Sequence, residues 1–416
     1  MPKKRRAIGR VLALCDLGAT IRTVSPIKKL FQTGQAWWRY FKLHEQEIRP
    51  AVVDNVVRML GCGLDVMGYA SHCCTNAECS HRRQVCFSCK SRFCPTCGKK
   101  ATDQWIATQR QTLPDTRWQH ITLTMPSELW ELFRLNRHLL KEPSRLAAGI
   151  LKEAAAKKGI LAGIFTALHT FGRDLKWNVH VHLSVTCGGL SAQATQWKPM
   201  YFAKAQIVPM WRYAIIDLLR RSYESLVLPG HLNSAIRSRL DWSRWLDTHY
   251  QKPWIVHFAK PSHSHVRNIN YLGRYIKRPP LSQSRLRHYD GKTVAFEFLD
   301  HRTGRHRIAV HDTDDFIDRF VQHIPDKHFR LINFYGFLAN RLRGKLLPVV
   351  YRLLQQTAQA VRTVRWRDLQ KRTFGVDPLL CVLCGAPLRF AGITQGKPAS
   401  QLRQHHQALA LAKIVF

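Results

Sequence analysis

A strict alternation governs the segment from Leu175 to Thr186. Positions 175, 177, 179, 181, 183 and 185 are Leu, Trp, Val, Val, Leu and Val, while every even position from Asn178 to Thr186 is polar. A period of two with one apolar face specifies a β-strand buried on one side, and a helix cannot satisfy it. The same pattern sets His180 and His182 side by side on the other face. Two imidazoles so placed suit one shared metal ion, although an exposed or hydrogen-bonded pair satisfies the spacing too. Two ligands are too few, so a third is required: Asp174, in the turn ahead of the strand, or His169, on the strand before it. Spacing leaves the choice open, because one residue of hairpin register moves His169 to the opposite face.

Further along, Val266, Ile269, Leu272 and Ile276 recur at spacings of three and four. This predicts a helix ended by Pro279-Pro280, with Gly273 as a weak point inside it. Tyr271 and Tyr275 lie one turn apart on that helix, flanking the stripe. An unaided phenol, titrating near pH 10, attacks phosphorus poorly; a cation on the phosphate offsets the developing charge. A metal-holding histidine pair and a tyrosine pair therefore point to phosphodiester exchange through a phosphotyrosine. Arg274, Lys277 and Arg278 are candidates for phosphate contacts, against the plainer reading of a solvated helix face. Trp37, Trp38, Tyr40 and Phe41 offer stacking surfaces for unpaired bases, but burial is the commoner fate of such aromatics.

Charge supports a polyanionic partner. Lys and Arg number 65 against 27 Asp and Glu, a net +38 spread along the chain, and nucleic acid is the commonest partner of that kind. No apolar run reaches bilayer length, and Val11–Cys15 is too short for the core of a signal peptide, so no membrane role and a cytoplasmic, nucleoid-associated location are expected. The basic start, Lys3–Arg6, reads as a nuclear address or as a frayed end that brushes phosphates. A phosphate loop of the Gly-x4-Gly-Lys-Ser/Thr type is absent, so unwinding is left to host replication or helicase machinery.

Eight of the 12 cysteines fall between Cys62 and Cys97. Cys74-x4-Cys79, Cys89-x4-Cys94 and Cys94-x2-Cys97 predict Zn²⁺ in a reducing compartment, not disulfides. The first choice of ligands is Cys74, Cys79, Cys94 and Cys97, with Cys89 as substitute or member of a second site. Cys62, Cys73, Cys86, His72 and His81 are spare. Lys90, Arg92, Lys99 and Lys100 make the module basic enough to grip a DNA backbone. Cys381-x2-Cys384 is half a site, either a second zinc completed with His405 or His406, which as chain neighbours make poor joint ligands, or a pair of buried thiols.

The remaining rhythm is mixed. His120–Met125 reads as a strand stopped by Pro126, Ser144 to Lys158 as a helix capped by Ser144 and ended by Gly159, and Leu161 to Phe171 as a strand. Gly172-Arg-Asp174 then turns the chain into the histidine strand as an antiparallel hairpin, and Asp290-Gly291 turns it into Thr293–Phe298. The fold class expected is α+β in five consecutive segments. These are a basic helical stretch (1–60), a zinc-binding domain (61–103), a nuclease core on an antiparallel sheet (104–285), a mostly helical extension (286–372) and a Cys-x2-Cys tail (373–416).

Several stretches together resemble a known family. They are His120-Ile-Thr-Leu-Thr-Met-Pro126, Leu168-His-Thr-Phe-Gly-Arg-Asp-Leu175, the His180-Val-His182 strand through Gly189, and Asn270-Tyr-Leu-Gly-Arg-Tyr-Ile-Lys-Arg278. Phe316-Ile-Asp-Arg-Phe320, Gln322-His-Ile-Pro325, Phe334-Tyr-Gly-Phe-Leu338 and Phe374-Gly-Val-Asp-Pro-Leu-Leu-Cys-Val-Leu-Cys384 extend the likeness, as does the cysteine block. The chain is similar to the two-tyrosine HUH transposases of rolling-circle insertion sequences, the insertion-sequence ninety-one group. The resemblance implies an HUH endonuclease that nicks one strand at an element end and keeps the 5′ phosphate on a tyrosine. It implies transfer through single-stranded DNA, with Tyr271 and Tyr275 serving donor and target in turn, and Mg²⁺ or Mn²⁺ at the histidines. Imidazole favours Mn²⁺. Asn178 departs from the pattern, since relatives often carry a further histidine there. A plasmid or phage rolling-circle initiator or relaxase would share the chemistry. A non-catalytic zinc DNA-binding regulator is the reading from another class, and the intact histidines and tyrosines argue against it.

Overall fold

The computed structural model describes residues 25–261, 266, 269, 270, 273, 279–300 and 303–411. Among them the strands run, in chain order, β1 (Gly68–Cys74), β2 (Arg82–Cys86), β3 (Trp118–Leu123), β4 (Ile160–Phe171), β5 (Trp177–Ser191) and β6 (Trp197–Pro199). They continue with β7 (Val256–Phe258), β8 (Leu286–Tyr289), β9 (Thr293–Asp300), β10 (Arg305–Asp312), β11 (Ile332–Gly336) and β12 (Leu388–Gln395). The residues fall into two compact units, one drawn from 1–104, 277–327 and 364–416 and the other from 105–276 and 328–363.

The second unit is built on an antiparallel sheet of order β11-β4-β5-β3-β7, with β6 paired to β5. The expected hairpin is its spine: Phe171 pairs with Trp177 beside the turn, and Ile160 pairs with Ser191 at the far end. Val179, Val181, Leu183 and Val185 are fully buried on one face of β5. They join Ile121, Leu123, Ile164 and Leu168 from neighbouring strands and Leu151, Trp211 and Ile215 from helices Glu142–Ala156 and Lys204–Arg221. Burying each such side chain is worth about 1.5–3 kcal/mol, so moving all four out of this core by a one-residue slip would cost on the order of 6–12 kcal/mol. That cost fixes which residues face the other way.

The first unit holds two three-stranded antiparallel sheets, β12-β1-β2 and β10-β9-β8. Its helical part packs Pro26–Gln32, Ala36–Leu43 and Thr313–Val321 through Phe31, Trp37, Phe316 and Phe320, all fully buried. The Trp37 indole donates to His406 Nε2 at 2.5 Å, and the Tyr40 hydroxyl donates to Asp318 Oδ1 at 2.7 Å. Trp37 and Tyr40 are thus core residues. Trp38 and Phe41 are half-buried and stack on each other with ring centroids 5.6 Å apart.

Three expectations change. Helix Glu142–Ala156 starts two residues before Ser144, with Lys141 at the cap position and Pro143 in the first turn. Ser144 is therefore buried inside that turn and caps nothing. The extension 286–372, expected to be mostly helical, carries four strands, β8 to β11, among its described residues. And β11 joins the edge of β4 while β12 joins the edge of β1, so each unit is assembled from distant segments. Long-range antiparallel pairing of this kind leaves no local signature for a segment-by-segment reading.

Candidate functional site

The pairing register decides which side chains meet. On the face of the sheet opposite the aliphatic core, His182 of β5 lies between Ala167 of β4 and Thr122 of β3, and His180 lies opposite His169. His120 of β3 pairs with Ser184 on the same face. A bulge makes this possible. Between the pairs Phe171–Trp177 and His169–His180, β5 contains one more residue than β4. Without that extra residue His169 would sit opposite Val179 and point into the aliphatic core.

His169, His180 and His182 place their ring nitrogens within 4.8 Å of one another, and all three are buried. Nε2 of His180 is 3.1 Å from Nε2 of His182. Two nitrogens each about 2.1 Å from one cation, at octahedral to tetrahedral angles, stand about 3.0–3.4 Å apart, so this separation suits shared ligation. The Nδ1–H of His180 donates to the Asn178 carbonyl at 3.0 Å, which leaves Nε2 with its lone pair for a cation. On its other edge, His182 Nδ1 is 3.2 Å from both Thr122 Oγ1 and His120 Nε2. Burial pushes His180 down to about 4, against a smaller opposing effect of the Asn178 carbonyl. It holds His182 well below the usual imidazole value, helped by His169, His180 and His120. Burial, with the nearby charge of His257, likewise lowers His120 to about 4. At neutral pH these rings are uncharged, as metal ligands must be.

Of the two candidate third ligands, His169 is brought to the pair. Asp174 stays in the turn, where its Oδ1 accepts from Lys176 N at 3.3 Å and Lys176 Nζ lies 3.7 Å from its Oδ2. His120 and Thr122 were missed as site residues. Their alternation in His120-Ile-Thr122 put them on one face, but nothing local reveals that β3 neighbours the histidine strand.

Val266, Ile269, Asn270 and Gly273 are helical. Ile269 is buried in a cluster with Trp118, Phe165 and Ala167, which project from the histidine face of the sheet. Arg110 Nη2 donates to Asn270 Oδ1 at 2.8 Å. At Gly273 an added Cβ would lie 2.4 Å from Ile106 Cγ1, so the glycine permits close approach to helix Pro95–Thr112. The apparent weak point of the helix is a packing requirement. Tyr271 and Tyr275 lie outside the described residues, as do Leu272, Arg274, Ile276, Lys277 and Arg278.

Among the described residues, eight cysteines form two groups of four, each with ligand atoms within 4.8 Å: Cys62, Cys89, Cys94 and Cys97, and Cys74, Cys79, Cys381 and Cys384. This corrects the first-choice set, because Cys74 and Cys79 belong to a different group from Cys94 and Cys97. In the first group Cys62 and Cys89 each stand 3.6 Å from Cys97, sulfur to sulfur. The amides of Cys89 and Ser91 approach the sulfurs of Cys62 and Cys89 at 3.4 Å, spreading thiolate charge. Cys62, a spare in the sequence reading, joins partners that begin 27 residues later. His406 is engaged by Trp37, and neither it nor His405 joins either group.

A family model described as a transposase zinc-binding domain matches residues 33–125, and one described as a putative transposase matches 163–345. The transposase for insertion sequence element IS801 from Pseudomonas savastanoi pv. phaseolicola is 42% identical over 396 residues, covering 94% of this chain and 96% of that one. The chain belongs to this transposase family. A putative transposase, y4qJ, from Sinorhizobium fredii is 30% identical over 322 residues, 74% of this chain and 81% of its own. No solved structure matches the transposase. The 163–345 match encloses the three histidines and the segment around Ile269, and the 33–125 match encloses the first cysteine group. No helix among the described residues is long and apolar enough to cross a membrane.

Proposed function

We propose that the transposase cuts and rejoins single DNA strands through a 5′-phosphotyrosine, with Tyr271 and Tyr275 as nucleophiles and His169, His180 and His182 holding a divalent cation. The observation that carries this reading is the shared sheet face. Three buried imidazoles converge there, and Ile269, two residues before Tyr271, packs against the same face.

In the cutting step one tyrosine oxygen bonds to the scissile phosphorus while the bond from phosphorus to the 3′ oxygen breaks. The phenolic proton is given up, and the departing 3′ oxygen ends as a hydroxyl. Rejoining runs in reverse: a 3′ hydroxyl attacks the phosphotyrosine and frees the phenol, so one phosphodiester is exchanged for another and no external energy is needed. A bound Mg²⁺ or Mn²⁺ would supply positive charge at the scissile phosphate. His120 and the Asn178 carbonyl orient the ligand rings. Arg274, Lys277 and Arg278 grip phosphates beside the cut, and the basic zinc-binding region holds the backbone at the element end. Two tyrosines allow donor and target strands to be held in turn, as rolling-circle transposition in the bacterial cytoplasm requires, with host helicase or replication machinery supplying the single strand.

The test is a single-stranded oligonucleotide carrying an element end, incubated with Mn²⁺. Wild-type protein should yield a covalent adduct. The double variant Tyr271→Phe with Tyr275→Phe should bind the strand and give none. Adduct formation by the double variant would reject the nucleophile assignment.

A further inference from the structure

The second cysteine group joins residues some 300 positions apart and falls partly outside both family matches, because Cys381 and Cys384 lie beyond residue 345. We propose that Cys74, Cys79, Cys381 and Cys384 bind a second zinc ion, and that this metal clasp fastens the C-terminal tail to the β1–β2 hairpin.

The sulfur geometry favours a metal over the alternatives. Cys74 and Cys384 are 3.4 Å apart, and Cys79 and Cys381 are 3.8 Å apart. The edge of a tetrathiolate zinc site, with Zn–S near 2.3 Å, is about 3.8 Å. A disulfide would need about 2.05 Å. Burial does not explain the convergence either, since Cys384 is exposed and Cys74 and Cys79 are only half-buried. Thiols gathered for apolar packing belong inside a core.

Both halves are shaped locally to present their sulfurs. In the tail, Gly385 N donates to Cys381 O at 3.0 Å and Cys381 N to Ala386 O at 2.8 Å. Gly385 takes φ +72°, which closes the turn and lets both cysteines of the Cys-x2-Cys pair face one point. In the hairpin, Cys74 N donates to His81 O at 3.0 Å, closing the loop that carries Cys79. Nδ1 of His81 lies 3.2 Å from the Cys381 sulfur, where its N–H would donate to a thiolate and offset part of its charge. Around this point the backbone is already zipped: β12 pairs with β1 from Gly68–Gln395 to Cys74–Leu388, and the amide and hydroxyl of Thr75 both donate to Pro387 O.

The two sites also differ in access. Cys89, Cys94 and Cys97 are 3–4% exposed, whereas the clasp has an exposed member in Cys384. The clasp zinc is therefore the one a chelator reaches first.

The experiment uses full-length protein purified with zinc, every version carrying His180→Ala and His182→Ala so that the histidine cluster takes no zinc, with elemental analysis and native mass spectrometry. The protein otherwise wild type should carry two zinc ions per chain and release them to a chromogenic chelator in a fast and a slow phase. Cys381→Ser with Cys384→Ser should carry one ion, lose the fast phase and become more sensitive to trypsin near Arg389 and Arg403. Cys73→Ser, a neighbouring cysteine outside the group, should keep two ions and both phases. One zinc in the otherwise wild-type protein, two retained in the tail variant, or a mass lower by four hydrogens from paired disulfides would each overturn the proposal. If the tail variant is insoluble, the count and release phases of the otherwise wild-type protein still decide.

Discussion

A methyl group at position 273 tests whether the tyrosine segment is held over the histidine sheet by close helix contact. The new Cβ of Gly273→Ala would lie 2.4 Å from Ile106 Cγ1, 2.8 Å from its Cδ1 and 3.3 Å from Trp105 Cε3. Non-bonded carbons settle at about 3.5–4.0 Å, so the two helices must part or Ile106 must move by roughly 1 Å. Overpacking costs about 1–3 kcal/mol, and replacing a helical glycine returns up to about 1 kcal/mol. The net loss, about 0–3 kcal/mol, leaves a folded protein. The kinetic effect should be larger, since misplacing a catalytic group by about 1 Å can cost roughly 100-fold in rate. Single-turnover adduct formation with Mn²⁺ should therefore slow by roughly 10–100-fold while strand binding is unchanged. Adding Ile106→Ala makes room for the methyl and should restore most of the rate. A wild-type rate in Gly273→Ala, or a defect that Ile106→Ala leaves untouched, would refute the reasoning.

Further outcomes follow from the histidine cluster. Calorimetric Mn²⁺ affinity should fall by more than about tenfold in His169→Ala and stay within about twofold of wild type in Asp174→Ala; the reverse order would reassign the third ligand. His120→Ala should weaken Mn²⁺ binding by about 10–100-fold, because His120 backs His182 without being in the group of three. His180 and His120 are lowered to about 4. Unfolded imidazole titrates near 6.5, so these groups favour the fold fully above that pH, and their contribution drains away as pH falls through about 4. Urea midpoints of metal-free protein should drop across that window, and Mn²⁺ binding should persist at pH 5.5. Loss of binding near pH 6.5 would mean the rings are not desolvated as described.

How much of this was legible depends on the range of the cause. The β5 strand announced itself because Val179, Val181, Leu183 and Val185 are all fully buried on one face, and binary patterning reports one-sided burial directly. The turn at Gly172 was equally local. The position of His169 was not, because it depends on one bulged residue that no propensity encodes. His120 needed the strand order, and the clasp needed a pairing between β1 and β12 across most of the chain. Gly273 was misjudged for the same reason: read locally it weakens a helix, but in place it admits Ile106. Half of a four-cysteine site gives no hint of where its other half lies.

The most direct test of the central claim, that the histidine cluster and the tyrosine segment form one strand-cutting centre, is to find the residue that carries DNA. Wild-type protein would be reacted with an element-end single strand and Mn²⁺, digested, and the nucleotide-bearing peptide sequenced by mass spectrometry. The account predicts a phosphodiester on Tyr271 or Tyr275, absent without divalent cation and absent in His180→Ala. DNA attached to any other residue, or a tyrosine adduct that forms equally well in His180→Ala, would contradict it.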